Sequence, residues 1–373
     1  MAPKPSKGSI SFAFFVIVCL HLCSSYGKVS ANNDPKIRGM FVFGSSLVDN
    51  GNNNFLPNSL AKANYFPYGV DFPLGSTGRF TNGKNVVDLL GELLKLPTFI
   101  PPFADPTTKG RRILYGVNYA SGASGILDET GAIAGQVFSL NKQIENFENV
   151  TLPEFGNGED FGKSLAHYLF VVGTGGNDYT FNYFLSRDKD SSNVSLEAFT
   201  TKLTTTLSRQ LKRLYNLGAR KFVLMSVNPN GCTPMARTMI PMHERCIQSV
   251  NRAIHLFNTN LKAMVDEIQL ELPASKLVYV NSYKIVRDII KEPSSKGFED
   301  AKNACCKVPS IEEGGTGTLC KRGGSICSNR RSNVFFDGLH PTETVNAVIA
   351  NKAYYSNSRA EVYPMNIKQL SQI

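Results

Sequence analysis

The sequence predicts an α/β protein built on a parallel sheet with helices on both faces, and three observations carry that prediction. Apolar runs rich in Val, Phe and Leu stop abruptly at polar or glycine-rich loops, at Phe41–Gly44, His167–Val172, Lys221–Val227 and Lys276–Asn281. Stretches of helical periodicity separate these runs. Strands that alternate with helices pair in parallel, and strands apolar throughout are buried on both faces. Finally, no linker divides the chain, and roughly 345 residues beyond the N-terminal leader suffice for one large α/β domain.

At the N-terminus, Lys4 and Lys7 precede an apolar run from Ile10 to Cys23, followed by small residues through Ser25 and Gly27. This charged, apolar, small-residue order is that of a secretory signal peptide, residues 1–27, with cleavage after Gly27 or after Ala31. About fourteen apolar residues are too few to span a bilayer comfortably, so a secreted chain with no transmembrane anchor is expected, its single domain covering 28–373. Cys19 and Cys23 would leave with the signal, and Cys232, Cys246, Cys305, Cys306, Cys320 and Cys327 would remain. An even set of thiols in an oxidising compartment points to disulfides, with a bond between the adjacent Cys305 and Cys306 disfavoured by strain. Zinc is the rival, against which stands the lack of paired C-x-x-C spacings. Asn149-Val150-Thr151 and Asn193-Val194-Ser195 are glycosylation sequons, which place Asn149 and Asn193 on exposed loops. The formal charge is +10, with Arg111-Arg112 and Arg330-Arg331 the densest clusters of otherwise scattered basic residues. That pattern suits an acidic cell-wall or membrane environment better than nucleic acid.

The first strand, Phe41-Val42-Phe43-Gly44, runs into Ser45-Ser46-Leu47-Val48-Asp49-Asn50-Gly51-Asn52-Asn53-Asn54. A serine at the carboxyl end of a buried parallel strand faces the crevice where such sheets bind ligands, which makes Ser46 a candidate nucleophile. Next, Gly78-Arg79-Phe80-Thr81-Asn82-Gly83-Lys84-Asn85 imitates a phosphate-binding loop. The match fails at Asn85, where a metal-binding Ser or Thr belongs, and no apolar strand feeds it, so no nucleotide site is expected. Asn85–Leu96 reads as an amphipathic helix. Gly116–Leu127 is a short apolar piece running into small residues, either a tight turn or a place where a glycine N–H faces an oxyanion. No G-x-S-x-G occurs, so the nucleophile elbow of lipase-type hydrolases is missing.

A helix is expected over Val137–Phe147, and the strand His167–Val172 ends in Gly173-Thr174-Gly175-Gly176-Asn177-Asp178, where Asn177 either caps a turn or offers its amide to a ligand. Leu196–Leu217 and Cys246–Leu272 are long helices around the third strand. Gly297–Asn329, with its cysteines and glycines, reads as a disulfide-pinned loop over one end of the sheet. Beyond it, Asp337-Gly338-Leu339-His340-Pro341-Thr342 leads into a helix over Glu343–Tyr355 that Thr342 is placed to cap. Of the mature histidines His167, His243, His255 and His340, His167 opens a strand and His255 lies within a helix, where structural roles are the default. For His340, Asp337 three residues earlier can fix the tautomer and leave the other nitrogen to take a serine proton.

Four blocks thus occur in order and widely spaced: Gly44-Ser45-Ser46-Leu47, Asn118-Tyr119-Ala120-Ser121-Gly122, Gly173 to Asp178, and Asp337 to Thr342. Together they closely resemble the plant GDSL esterase/lipase family of the SGNH hydrolases, over essentially the whole mature chain. The resemblance implies a flavodoxin-like three-layer α/β/α sandwich with a central parallel sheet. It further implies Ser46 as nucleophile, His340 as base, Asp337 as its orienting acid, and the Ser46 amide, Gly122 and Asn177 as the oxyanion hole. Two departures stand out. Ser45 replaces the family Asp before the nucleophile, which bears on the rigidity of the turn that aims Ser46, and Ala123-Ser124 replace a Gly and a small residue.

The function implied is a secreted serine esterase acting on a lipid or an acylated cell-wall component through an acyl-enzyme, with no metal or organic cofactor. Two alternatives share the residues: acyl transfer to a cutin-like or polysaccharide acceptor, and a non-catalytic binding protein that keeps the fold.

Overall fold

The computed structural model describes residues 37–155, 164–185, 194–238 and 246–373, together with Met1. The rest of the expected signal peptide, Asn193 and His243 lie outside the described residues. The strands are β1 (Gly39–Gly44), β2 (Tyr168–Gly173), β3 (Lys221–Met225), β4 (Lys276–Val280), β5 (Asp300–Ala304), β6 (Asn333–Phe335) and β7 (Val362–Tyr363). In space β1, β2, β3 and β4 are parallel neighbours in that order, and β7 closes the sheet antiparallel to β4. The irregular segment 115–121 runs along the free edge of β1. There Met40 and Val42 donate to the carbonyls of Tyr115 and Val117, and Tyr119 and Ser121 donate back to Val42 and Gly44, all within 3.0 Å. Counted in chain order the strands therefore lie 2-1-3-4-5, the flavodoxin-like arrangement, whose ligand crevice opens between the first and third strands, here β1 and β2.

Alternation along the strands separates two cores. Phe41, Phe43, Phe170 and Phe222 face the helices α2 (Leu140–Asn146), α3 (Leu196–Asn216) and α4 (Gln248–Glu271). Met40, Val42, Leu169, Val171 and Val223 face α1 (Val86–Leu93), α5 (Ser282–Lys291) and α6 (Glu343–Tyr355) on the other side. Each such side chain, fully buried, contributes about 1.5–3 kcal/mol, which is why both faces of every central strand are apolar.

The six cysteines pair as Cys232–Cys246, Cys305–Cys327 and Cys306–Cys320, so zinc has no thiolates left to bind among them. The last two bonds pin the segment Gly297–Asn329, as expected of a disulfide-pinned loop, but the segment also holds a strand, β5, which pairs with β6 just beyond it. The phosphate-loop imitation has another explanation. Asn85 and Asp88 form a reciprocal capping box that starts α1, and Arg79 grips the Asp88 carboxylate with two bonds of 2.6 and 2.7 Å in the buried interior. One expectation is corrected: Thr342 occupies the cap position of α6, but its hydroxyl donates to Asn333 O at 2.7 Å, and Asn82 Oδ1 takes the Glu343 N–H instead. Among the described residues no helix is long and apolar enough to cross a membrane.

Removing one partner of the Arg79–Asp88 pair strands a buried charge. Arg79→Met should therefore lower unfolding stability by about 3–5 kcal/mol, read as a shifted urea midpoint at unchanged slope.

Candidate active site

The loop after β1 is a polar run that is nonetheless buried, and its side chains replace the hydrogen-bond ladder that ends at Gly44. Asn52 donates to the carbonyls of Asn118 and Ala120, Asn53 to those of Ala61 and Gly122, and Asn50 to Ile100 O. Buried Asp49 receives N–H groups from Gly51, Asn52 and Gly122. The turn itself is clamped by Gln143 of α2, which accepts from Gly44 N–H at 2.8 Å and donates back to Gly44 O at 2.9 Å. Ser45 N–H adds a bond of 3.1 Å to Gly173 O. Gly44 sits at φ 144°, where a Cβ would come within 2.2 Å of that same Gly173 oxygen, so β1 and β2 approach too closely here for any other residue.

This clamp presents Ser46 to His340, whose Nε2 lies 2.7 Å from Ser46 Oγ. On the far side of the ring, Nδ1 is 2.8 Å from Asp337 Oδ2 and 2.9 Å from Oδ1. Both ring nitrogens are therefore engaged, with Nδ1 as donor because the carboxylate only accepts. Asp337 is fully buried, and its Oδ1 also takes the backbone N–H groups of Leu339 and His340. Phe80 packs on the His340 ring at 5.1 Å between centroids.

A cavity of about 50 Å³ opens beside Ser46 at the carboxyl ends of β1, β2 and β3, and Asn177, Thr174, Met225, Leu339 and His340 help line it. Asn177 spends one amide proton on Ser124 O at 2.9 Å, which leaves the second for a group in the crevice. The Ser46 N–H has no acceptor among the described residues. Gly122 differs from the expectation. Its N–H is donated to Asp49 Oδ2 at 2.9 Å, and the residue does not line the crevice. What its lack of a side chain provides is room for Phe80, since a Cβ there would lie 2.6 Å from that ring.

Of the altered residues in the second block, Ala123 adopts φ 67°, and Ser124 Oγ donates to Ser121 O at 2.8 Å. His167 and His255 are exposed and take no part in the site. Tyr68 was invisible to sequence reasoning, yet its hydroxyl lies 2.7 Å from Asp337 Oδ2. Asp178 holds the second block to the third through the N–H groups of Ile126 and Leu127 and the Thr130 hydroxyl. Its place directly after Asn177 was the available signal.

Fold and site together define a serine hydrolase of the α/β/α sandwich class, with a serine, a histidine and a buried carboxylate hydrogen-bonded in series at the switch point of a parallel sheet. Residues 40–353 match the family model described as GDSL-like Lipase/Acylhydrolase. The chain is 40% identical over 365 residues to GDSL esterase/lipase 7 of Arabidopsis thaliana, covering 96% of this chain and 98% of that one. It is 39% identical over 361 residues to GDSL esterase/lipase At1g29670 of the same plant, covering 96% and 98%, and 42% identical over 340 residues to GDSL esterase/lipase At1g71250, covering 90% and 89%. The chain belongs to the GDSL-like lipase/acylhydrolase family and is a carboxylic ester hydrolase.

Burial pushes the carboxyls of Asp49 and Asp178 up to about 6, against the opposing pull of their hydrogen-bond donors. The folded protein therefore holds these protons more tightly than the unfolded chain does. The stability they contribute is complete below the ordinary value of 3.8 and is lost as pH rises through about 6. Because Asn does not titrate, the stability of the parent relative to Asp178→Asn should fall by about 2 kcal/mol between pH 4 and 6, measured by urea unfolding.

Proposed function

We propose that Ser46, His340 and Asp337 are the catalytic triad of a secreted serine esterase that cleaves carboxylic esters through an acyl-enzyme. The single observation that supports it is the 2.7 Å contact of His340 Nε2 with Ser46 Oγ, backed by a buried carboxylate on the opposite ring nitrogen. Ser46 Oγ attacks the ester carbonyl while His340 Nε2 takes its proton. Collapse of the tetrahedral intermediate breaks the bond to the alcohol oxygen, which leaves with that proton. Water, deprotonated by the same nitrogen, then attacks the acyl-enzyme and releases the acid. Asp337 keeps Nδ1 protonated and stabilises the imidazolium between the two transfers.

In this reading the Ser46 N–H and the spare Asn177 amide proton bind the oxyanion. Gly122 acts at one remove, through the space it leaves for Phe80 and the bond it gives Asp49. The substrate is an ester of a lipid or of an acylated cell-wall component. Residues 1–27 serve as the signal peptide and 28–373 as the hydrolase domain, with glycans on Asn149 and Asn193. Asn149 is exposed.

Ser46→Ala should abolish hydrolysis of a p-nitrophenyl ester and labelling by a fluorophosphonate, and equal activity in variant and parent would overturn the triad. Asn177→Ala should lower kcat by about two to three powers of ten while the protein stays folded, with only the modest loss of stability that follows from the bond to Ser124 O.

A further inference from the structure

The environment of Asp337 contains a group that the triad does not account for. Tyr68 is fully buried, packed edge-on against Phe80 and Phe336, and its hydroxyl lies 2.7 Å from Asp337 Oδ2. The direction of that bond is forced. The Cys320 N–H donates to the Tyr68 oxygen at 3.1 Å, and an ionised carboxylate can only accept, so the phenolic proton goes to Asp337. The two carboxylate oxygens are supplied differently. Oδ1 takes two backbone N–H groups besides the imidazole, whereas among the described residues Oδ2 has the imidazole and Tyr68 alone.

The support behind Tyr68 is itself fixed. Cys320 is bonded to Cys306, whose N–H donates to Phe336 O at 2.8 Å, the residue before Asp337. Tyr65 OH donates to Cys320 O at 2.9 Å, and Gly323 N–H donates to Phe66 O at 3.0 Å. The 65–68 segment and the disulfide-pinned loop therefore hold each other, and both bear on the same carboxylate. Burial and the charge of Asp337 raise the Tyr68 phenol well above its usual range, so it stays a donor wherever the enzyme works.

We propose that Tyr68 is a positioning residue for ester hydrolysis: its hydroxyl, aimed by Cys320, holds Asp337 Oδ2 against His340 and sets how strongly that carboxylate favours the imidazolium. The inference rests on Asp337 being the triad acid. A hydrogen bond to Oδ2 does two things. It limits rotation of the carboxylate, which keeps the imidazole aligned on Ser46. It also withdraws charge from the oxygen that faces Nδ1, so that removing it leaves a more basic carboxylate and a His340 that holds its proton to higher pH.

The test is Tyr68→Phe, which keeps the ring and its packing, beside Tyr65→Phe, which cuts a neighbouring bond to Cys320 without touching Asp337. Each is assayed on a soluble p-nitrophenyl ester across pH, with Ser46→Ala as reference. Tyr68→Phe is expected to lower kcat about tenfold with KM changed less than twofold, and to move the acid limb of kcat/KM to higher pH by about half a unit. Tyr65→Phe should leave the acid limb where it is. Should Tyr68→Phe fold poorly, 3-fluorotyrosine at position 68 serves instead: its more acidic phenol donates more strongly and should move the limb to lower pH. The proposal is overturned if the acid limb stays in place in the Tyr68 variants, or if Tyr65→Phe shifts it equally. Activity retained by Ser46→Ala would instead overturn the triad itself, so the two failures are distinguishable.

Discussion

The contact between His340 and Ser46 joins residues 294 positions apart, and most of the molecule can be understood as what makes that closure rigid. The entropy of bringing such distant ends together grows only slowly with loop length. Keeping two side chains within a single hydrogen bond is the harder requirement, because it demands a fixed support at each end. At one end β1 is buried on both faces, and its last residue is clamped by Gln143 and by the backbone of β2. At the other end β6 stops two residues short of Asp337, pairs with β5, and is pinned where the Cys305 and Cys306 N–H groups donate to Phe335 and Phe336. The disulfides thus act locally, at the strand that leads into Asp337 and His340.

Between those supports lies a polar interior whose cost is met largely by hydrogen bonds from side chains, with Asn54 Oδ1 and Thr174 Oγ1 among the buried atoms left without a partner among the described residues. Loops at the carboxyl ends of parallel strands have lost their ladder, and buried backbone groups without partners are expensive. The Asn run after Ser46 supplies the missing partners from side chains, which is why so polar a stretch is buried. Asp49 and Asp178 do the same for backbone N–H groups, Asp49 with three and Asp178 with two and the Thr130 hydroxyl, and among the described residues neither has a cation in direct contact. Their raised carboxyl values show that these donors only partly offset desolvation. The site is organised at some expense in stability, as expected where geometry serves chemistry.

What could be read from the chain follows from how local each cause is. Strands buried on both faces announce themselves as apolar runs, and His167–Val172 anticipates β2 to within one residue at each end. The Asp337–His340 pair is also local, since three residues of one loop set its geometry. The edge segment 115–121 was legible only as a short apolar piece running into small residues, because Gly116, Asn118 and Ser121 interrupt the pattern while its backbone still pairs with β1. Helix α5 was missed because it begins two residues after β4 ends, with no loop to mark the change of period. Tyr68 meets its partner 269 positions away, and an aromatic residue in a loop says nothing of that. Gly122 was rightly read as a point of close approach. The placement of Phe80, which a Cβ at Gly122 would meet at 2.6 Å, could not be read from the chain, nor could the bond from the Gly122 N–H to Asp49 Oδ2.

The expected departure at Ser45, where the resemblance implies an acid, bears on the same turn. If a side chain before the nucleophile were needed to hold the turn, Ser45 would have to supply that hold with its hydroxyl. Among the described residues the Ser45 hydroxyl has no hydrogen-bond partner, although the residue is buried and lines the crevice. The turn is held by main-chain atoms instead: Ser45 N–H on Gly173 O, Val48 N–H on Ser45 O, and the two-way clamp of Gln143 on Gly44. None of these bonds depends on which side chain stands at position 45, so the aim of Ser46 survives the substitution. What the substitution does change is the electrostatics of the crevice wall. A neutral hydroxyl there adds no negative charge beside the site where an oxyanion would form, and so does not oppose the donors that would bind it.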